Sequence, residues 1–509
     1  MTPTRVRAPE FPSNKTWLNT NHPLSIKELR GRFLILDFWT YCCINCLHIL
    51  PDLQYLEEKY ADSLTVIGVH SAKFDHEKEI ENIRQAILRY DVKHPVVVDN
   101  DFRIWNEYDV RAWPTLVLVN PKGYYLHRIS GEGHRENLDS LLNELIQEYK
   151  SQGELNLSSL TLTLEQEEYP LTNPLAFPGK VLANSIEQCL FIADSGHHRL
   201  VISDLNGKII SIVGNGTAGL TNGSFQEAQF SSPQGMVFDV ASQMLYVADT
   251  GNHVIRKVDL QKQEVTTIAG TGKKSYSLAP HAGRGLEVAL NSPWDVEKIG
   301  EILYIAMAGS HQIWSLDLAS GRLQTYTGTG IEACFNGTLK EASFAQPSGV
   351  TTNGQELFVA DSEVSSIRGV SLLEMPTVRT VCGSGDLFGF GDKDGEGFDV
   401  RLQHCLGIHF AQNYIWVADT YNHKIKQIDP KTGKCQTVIG DGVVGDRDSK
   451  GTFARLFEPS GLSATESFLY IADTNNHAIR QVDLNSFEVK RLEFPDLCAP
   501  NICISNENK

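Results

Sequence analysis

One apolar motif recurs six times from residue 190 onward, at nearly even spacing. Five copies end in Ala-Asp and one ends in Ala-Met, and the intervals between successive last residues are 55, 58, 54, 58 and 54. Those last residues are Asp194, Asp249, Met307, Asp361, Asp419 and Asp473. Each copy is followed by a polar turn and two further strand patterns, and a Pro-x-Gly strand opens most copies. Four short strands repeated six times predict an all-β propeller of six blades, each packed mainly on its neighbours.

The turn after the motif resembles the NHL repeat family, which is named after Asn-His-Leu. The Asn-His pair is present at residues 252–253, 422–423 and 476–477, and the resemblance spans about residues 171–495. We expect the recurrent carboxylate to accept backbone N–H bonds in a tight turn. We expect the recurrent imidazole to pack between blades, and the histidines are His198, His253, His311, His423 and His477. For ring closure we expect strand exchange between the two ends of the propeller, since an open edge invites aggregation.

A second feature lies near the N-terminus, where Cys43 and Cys46 are separated by two residues. They follow an apolar run at residues 33–36, which predicts a buried strand, and precede a predicted helix at residues 47–60. A cysteine at such a junction lies where unpaired backbone N–H groups and the helix dipole stabilise a thiolate. Cys46 falls on the same helix face as Cys43 and can close a disulfide with it. The pattern indicates a dithiol redox site.

The surrounding residues resemble the thioredoxin superfamily. Residues 37–39 (Asp-Phe-Trp) followed by Cys-x-x-Cys resemble the thioredoxin active-site strand, and Pro51 lies where thioredoxins kink their active-site helix. Residues 113–115 (Trp-Pro-Thr) resemble the cis-proline loop. An insertion at about residues 74–100, with a predicted helix at 77–90 and a strand at 96–98, is similar to the TlpA and peroxiredoxin branches.

This resemblance covers roughly residues 20–150 and implies a role for each site residue. Cys43 and Cys46 would form a redox-active disulfide, with Cys43 as the attacking and Cys46 as the resolving thiol. Asp37 would help move the proton of Cys46, and Pro114 would position the substrate strand. The chain departs from the thioredoxin pattern at three places: Ile-Asn separates the two cysteines, Cys42 replaces a tryptophan, and Trp113 precedes the proline and would narrow the substrate groove.

Other chemistries compete for the same cysteines. Cys42-x-x-x-Cys46 matches the spacing of Sco-type copper chaperones, and thiolates suit Cu(I), but the histidine that those proteins add near the proline loop is missing. Thr40-x-x-Cys43 matches the peroxiredoxin core, but Leu36 stands where a proline is expected. The two thiols can also be inert and buried, in which case the chain is a non-enzymatic scaffold with a vestigial redox fold.

The chain of 509 residues is too long for one ordinary core, so we expect a multidomain protein. We assign residues 1–150 to an α/β thioredoxin-like domain, 151–170 to a linker, 171–495 to the all-β six-bladed NHL propeller, and 496–509 to a C-terminal tail. Within the linker, leucines 160, 162 and 164 alternate with threonine, which predicts an extra half-buried strand. That strand would pair with a propeller edge or clasp the thioredoxin-like domain.

Composition and charge limit location and partners. Hydrophobic residues make up 41% and charged residues 21%, and there is no apolar run of about 18 residues. Residues 1–14 show no secretory signal, and ten cysteines without such a signal indicate a reducing compartment. We therefore expect a cytoplasmic protein with no membrane segment. We also expect no cofactor and no metal.

The net charge is −17, and residues 1–150 hold 18 Lys and Arg against 21 Asp and Glu, which leaves −14 for residues 151–509. Such an acidic propeller makes nucleic-acid binding unexpected. One basic stretch, residues 424–426 (Lys-Ile-Lys), has a strand pattern and is expected on a solvated blade edge. The architecture as a whole resembles the NHL-repeat-containing protein 2 family. We expect a thiol–disulfide oxidoreductase whose propeller docks a protein partner.

Overall fold

The computed structural model describes residues 6–157, 160–500 and 502. The chain divides into two compact units, Met1–Pro170 and Leu171–Lys509. The first unit is an α/β fold and the second a six-bladed all-β propeller, so the predicted fold class is confirmed. No helix within the described ranges is long and apolar enough to cross a membrane.

The N-terminal unit is a six-stranded sheet with helices on both faces, and its strands are ordered β1-β4-β3-β2-β5-β6. The strands are β1 Trp17–Leu18, β2 Phe33–Trp39, β3 Leu64–His70, β4 Val96–Val98, β5 Thr115–Val119 and β6 Tyr125–Ser130. The helices are α1 Ile44–Lys59, α2 Ile80–Arg89, α3 Arg103–Glu107, α4 Arg135–Ser151 and α5 Glu165–Glu168. The central strand β2 is buried along its whole length and pairs parallel with β3 and antiparallel with β5.

Alternate residues of β2 face two separate apolar cores. Phe33 and Ile35 pack with α1 and α4, whereas Leu34, Leu36 and Phe38 pack on the opposite face. Because successive side chains of a strand point to opposite faces, an uninterrupted apolar run suits a strand that is covered on both sides. This burial fixes β2, and its C-terminal end carries the cysteine loop.

The segment assigned as a linker contains no strand at residues 160–164. Leu160 packs instead against the apolar core of the N-terminal unit. The short helix α5 follows, where the Glu165 carboxylate pairs with Arg84 at 2.7 Å and its backbone N–H donates to Asn19 Oδ1. The predicted extra strand is therefore wrong, because the leucine side chain finds a place in the core that needs no sheet pairing.

The propeller blades each consist of one continuous stretch of chain. Blade 1 contains β7 Lys180–Asn184, β8 Cys189–Asp194, β9 Arg199–Asp204 and β10 Ile209–Val213. Blade 2 contains β11 Gly223–Ser224, β12 Pro233–Asp239, β13 Met244–Asp249, β14 Val254–Asp259 and β15 Glu264–Ala269. Blade 3 contains β16 Ala282–Arg284, β17 Pro293–Ile299, β18 Ile302–Met307, β19 Gln312–Asp317 and β20 Arg322–Thr327.

The other three blades repeat this order. Blade 4 contains β21 Gly337–Thr338, β22 Pro347–Thr352, β23 Glu356–Asp361, β24 Ser366–Ser371 and β25 Thr377–Cys382. Blade 5 contains β26 Gly395–Glu396, β27 Gly407–Ala411, β28 Tyr414–Asp419, β29 Lys424–Ile428 and β30 Lys434–Ile439. Blade 6 contains β31 Ser449–Lys450, β32 Pro459–Ala464, β33 Phe468–Asp473, β34 Ala478–Asp483 and β35 Glu488–Leu492.

Among the strands that the structure describes, none is exchanged between the two ends of the ring, so that prediction is wrong. All strands of blade 1 come from residues 180–213 and all those of blade 6 from residues 449–492. Instead, an apolar cluster joins the two blades, with Val181 and Leu190 from one side and Tyr470 and Ile479 from the other. Leu497 belongs to the same cluster, so the described part of the predicted C-terminal tail packs on the ring.

The recurrent Asp and His are structural, as expected. In five blades the Asp Oδ1 accepts a backbone N–H from the loop before the innermost strand of the same blade (β7, β12, β22, β27 or β32), and the donors are Ala176, Ser231, Ala345, Gln403 and Phe457. In five blades the His Nδ1 accepts a backbone N–H that precedes the innermost strand of the next blade around the ring, and the donors are Ser232, Ser292, Gln346, Glu458 and Phe177. These bonds join the loops of neighbouring blades.

The recurrent Asp also pairs with a buried cation on the next strand. Asp249 pairs with Arg256 at 2.9 Å, and Asp361 pairs with Arg368 at the same distance. In blade 3 the Asp is replaced by Met307, and Trp314 occupies the strand position of the arginine. Loss of the anion and of the cation together avoids an unpaired buried charge.

Lys426 contradicts the prediction of a solvated blade edge. Its side chain is fully buried and pairs with Asp392 and Asp394 at 2.9 Å each, and with Asp419 at 3.6 Å. Lys424 also pairs with Asp392. The loop that holds the two aspartates folds over the strand, so an outward-facing strand position becomes buried.

Candidate active site

The loop between β2 and α1 carries the two cysteines of the predicted redox site. Cys43 is the N-cap of α1, and its carbonyl oxygen accepts the N–H groups of Cys46 at 3.0 Å and Leu47 at 3.2 Å. The helix therefore begins three residues earlier than the apolar pattern predicted. Cys43 is partly exposed and Cys46 is fully buried, and both are free cysteines.

The burial of Cys46 determines its acidity. Burial raises the pKa of Cys46 well above its ordinary value, and a side-chain hydrogen bond with Cys43 and the charge of Asp37 add to the effect. A thiol with a raised pKa is a poor nucleophile at neutral pH unless a base removes its proton. The geometry thus separates an accessible thiol, Cys43, from a buried thiol that needs a proton acceptor.

Asp37 lies on the central strand β2, which leads into the cysteine loop, and is fully buried. Neither of its carboxylate oxygens has a hydrogen-bond partner among the described residues. Burial raises the pKa of Asp37 to about 7; the charge of His94 opposes this rise and that of Glu57 adds to it. A carboxyl group with such a pKa can both accept and release a proton near neutral pH.

A buried histidine connects this region to a partly exposed carboxylate. His94 Nδ1 lies 3.3 Å from Glu57 Oε2. Burial alone would lower the pKa of His94, but the charges of Glu57 and Asp37 outweigh it and raise that pKa. The register pairs Asp37 with Gly68, and a Cβ atom on Gly68 would lie 2.9 Å from Trp39 Nε1 and 3.3 Å from His94 Nε2. Glycine at this position therefore leaves room for the imidazole.

The insertion contributes a residue that sequence analysis did not identify as functional. Glu77 is fully buried, and its Oε1 accepts the backbone N–H of Cys42 at 2.9 Å. Its Oε2 accepts the N–H groups of Lys73 and Phe74 at 3.0 and 2.9 Å. The carboxylate thereby holds the residue next to Cys43 in place. An acidic residue at the start of a predicted helix gave no signal of this role, because such residues are common there.

The proline loop has the backbone geometry that the resemblance implied. The Trp113–Pro114 peptide bond is cis. Thr115 begins β5 and pairs with Phe38, so Pro114 lies at the edge of the sheet from which the cysteine loop emerges. The Trp113 indole donates to the carbonyl of Ser71 at 3.0 Å and packs on Trp105 with ring centres 4.6 Å apart.

The copper alternative depends on Cys42, which is buried and lies within hydrogen-bond distance of Thr40, with Sγ and Oγ1 3.9 Å apart. Among the residues that the structure describes, no group of three or more His, Cys, Asp or Glu side chains is arranged to hold a metal ion. Of the predicted site residues, the structure brings Asp37, Cys43 and Cys46 together, because both Asp37 and Cys43 raise the pKa of Cys46.

Comparison with known proteins gives matches to both units. A family model described as thioredoxin-like matches residues 31–125. Thiol-disulfide oxidoreductase YkuV of Bacillus subtilis is 23% identical over 145 residues, which is 28% of this chain and 97% of that protein.

Longer matches cover nearly the whole chain. Protein SUPPRESSOR OF QUENCHING 1, chloroplastic, of Arabidopsis thaliana is 45% identical over 502 residues, which is 95% of this chain and 47% of that protein. The chain thus spans about half the length of this relative. NHL repeat-containing protein 2 of Homo sapiens is 43% identical over 516 residues, which is 94% of this chain and 70% of that protein. At this identity and coverage, the chain belongs to the NHL repeat-containing protein 2 family.

Proposed function

We propose that this chain is a thiol–disulfide oxidoreductase that exchanges disulfides with a protein substrate through Cys43 and Cys46. The observation that carries the proposal is the pairing of a partly exposed thiol at a helix N-terminus with a fully buried thiol hydrogen-bonded to it. The buried Asp37 carboxyl group, which has no hydrogen-bond partner in the described part of the chain, supports it, since the buried thiol needs a proton acceptor.

In the reducing direction, the Cys43 thiolate attacks one sulfur of a substrate disulfide. A mixed disulfide forms and the other substrate sulfur leaves as a thiolate. Cys46 then gives its proton to Asp37 and attacks the Cys43 sulfur. The Cys43–Cys46 disulfide forms and the second substrate sulfur leaves, so two electrons pass to the substrate and two substrate thiols result after protonation. The same steps in reverse oxidise a dithiol substrate.

The propeller supplies the docking platform in this proposal. Residues 151–509, which include the propeller, carry a net charge of −14, which favours partners with basic segments. We therefore expect binding that weakens as salt rises.

Trapping with Cys46→Ser tests the proposal. The variant keeps the attacking thiol and removes the resolving one, so a mixed disulfide with Cys43 should accumulate and release its partner on reduction. Cys43→Ser is the matched control and should trap nothing. If Cys46→Ser forms no more mixed disulfide than Cys43→Ser does, while the full chain still binds a protein through its propeller, the non-enzymatic scaffold is the better account.

A further inference from the structure

The central channel of the propeller is crossed by an ion pair between non-adjacent blades. In five blades, one residue of the innermost strand pairs with the alanine of the repeated Ala-Asp or Ala-Met motif. This residue is glycine in blades 4, 5 and 6, but it is Lys180 in blade 1 and Asp295 in blade 3. Lys180 Nζ donates to Asp295 Oδ2 at 3.1 Å, to the Ser348 carbonyl at 3.1 Å and to the Leu406 carbonyl at 2.7 Å. All three of its N–H donors are therefore used within the protein.

A cavity of about 150 Å³ lies beside this ion pair. It is lined by the side chains that lie two residues further along the innermost strands. Four of them are polar, namely Glu297, Thr351, His409 and Ser463, and two are apolar, namely Leu182 and Val237. Glu297 and His409 are only half-buried, so solvent reaches the cavity. A cavity of this volume holds a molecule of about six non-hydrogen atoms.

The polar groups in the cavity offer mainly hydrogen-bond acceptors. The imidazole of His409 makes no hydrogen bond within the described part of the chain, and a neutral imidazole has one acceptor nitrogen. Glu297 Oε1 accepts the adjacent backbone N–H of Lys298, at 3.1 Å, and the Thr351 hydroxyl also contacts this carboxyl group. No lysine donor remains for an anion, because Lys180 is fully engaged.

The charges in the cavity do not balance unless a proton is bound. Two carboxyl groups, Asp295 and Glu297, face one fixed cation, Lys180. The residue that pairs with Glu297 on the next strand is Tyr304, which adds no charge at neutral pH. Burial raises the pKa of Glu297 to about 8, and the charge of Asp295 adds to this. Burial lowers the pKa of His409 to about 4, so the imidazole is neutral at pH 7. The protein's own groups thus leave Glu297 protonated and able to exchange its proton for another cation.

We propose that this cavity binds a compact organic cation, a primary amine of up to about six non-hydrogen atoms, whose ammonium group lies between the Glu297 carboxylate and the imidazole of His409. The hydrocarbon part of the ligand faces Leu182 and Val237. As the ammonium group enters, Glu297 releases its proton to solvent, and the charge of the cavity stays balanced.

The test uses the full chain and three probes of similar size: butylammonium, neutral butanol and anionic butyrate. Calorimetry should show saturable binding of butylammonium with a Kd on the order of 1 mM, as expected for so few atoms, and weaker or no binding of the other two. Binding should release close to one proton at pH 7, seen as a heat that differs between phosphate and Tris buffers. The affinity should rise from pH 6 to about pH 8 and then level off.

Glu297→Gln keeps the shape of the side chain and should lower butylammonium affinity at least tenfold and abolish the proton release. Glu301→Gln alters an exposed carboxylate of the same blade and should change neither quantity. The proposal is overturned if butanol or butyrate binds as tightly as butylammonium, if Glu297→Gln binds it unchanged, or if the native chain shows no saturable binding up to about 50 mM.

Discussion

The Nδ1 atom of His477 in blade 6 accepts a hydrogen bond from the backbone N–H of Phe177, 300 positions earlier in the sequence, at 3.1 Å. Their rings also meet edge to face, with centroids 4.5 Å apart. The same bond recurs inside the ring, for example from Gln346 to His311 at 3.0 Å. A contact repeated between neighbouring blades therefore also joins the last blade to the residues before the first, and no exchanged strand is needed.

We predict that His477→Ala destabilises the propeller by about 1–3 kcal/mol, because it leaves the Phe177 N–H without its acceptor. The loss should appear as faster hydrogen exchange in β7 and β32, the innermost strands of blades 1 and 6. His281→Ala, at an exposed histidine of the propeller, serves as the control. Unchanged exchange in both strands would mean that the apolar cluster alone closes the ring.

The sequence predicted the blades because each blade is built from local contacts. The Asp249 carboxylate, for instance, accepts a backbone N–H only 18 residues away, and its partner Arg256 lies on the next strand. Closure could not be predicted in the same way, since nothing near Phe177 in the sequence points to His477. The burial of Lys426 also depends on the loop that carries Asp392 and Asp394, and the path of that loop cannot be predicted from a strand pattern.

The candidate site shows a similar division. Residues 37–46 and Pro114 were predictable because their identity and spacing resemble a known superfamily. Glu77 and His94 were not, because each reaches the site by packing between elements that are distant in sequence: Glu77 contacts Cys42, 35 positions away, and His94 contacts Glu57, 37 positions away. Buried polar partners of this kind are visible only once the fold is known.

Alkylation should distinguish the two thiols. In the reduced chain at pH 7, iodoacetamide should modify Cys43 at least about tenfold faster than Cys46, because Cys46 is fully buried and its pKa is raised. Peptide mapping by mass spectrometry measures both rates in one sample, and the half-buried Cys334 of the propeller provides an internal reference. Faster labelling of Cys42 or Cys46 would reverse the assignment of the attacking thiol.

Asp37→Asn should stabilise the N-terminal unit as pH rises. The unfolded carboxyl group releases its proton near pH 4, whereas the folded group holds it until about pH 7. Between these pH values the unfolded state is ionised and the folded state is not, so the free energy of unfolding falls as pH rises, by about 4 kcal/mol in total above pH 7. Asparagine does not ionise and removes this loss. Urea unfolding at pH 4 and pH 8 measures the effect, with exposed Asp91→Asn as the control.

The same variant should slow disulfide exchange while it stabilises the fold, because Cys46 loses its proton acceptor. Rates of substrate reduction should therefore fall most near pH 7, where the native carboxyl group titrates. A stabilised variant with an unchanged pH profile would show that Asp37 has no part in proton transfer.

Glu77→Gln should loosen the cysteine loop. The substitution replaces a carboxylate that accepts the N–H of Cys42 by an amide with one acceptor oxygen, and hydrogen bonds to charged groups contribute about 1.5–3 kcal/mol. Hydrogen exchange should therefore accelerate at residues 41–44 and 73–75. Exposed Glu81→Gln, in the neighbouring helix, should leave both segments unchanged. Equal protection in the two variants would mean that packing alone holds the loop.

The ion pair across the propeller channel should show strong coupling. Lys180 and Asp295 are both buried, and burial raises the pKa of Asp295 although Lys180 opposes it. Lys180→Met and Asp295→Asn each leave one buried charge without its partner, which should cost about 3–5 kcal/mol. The double variant removes both charges and should cost clearly less than the sum. Additive losses in urea unfolding would mean that the carbonyls of Ser348 and Leu406, rather than Asp295, hold the lysine across the channel.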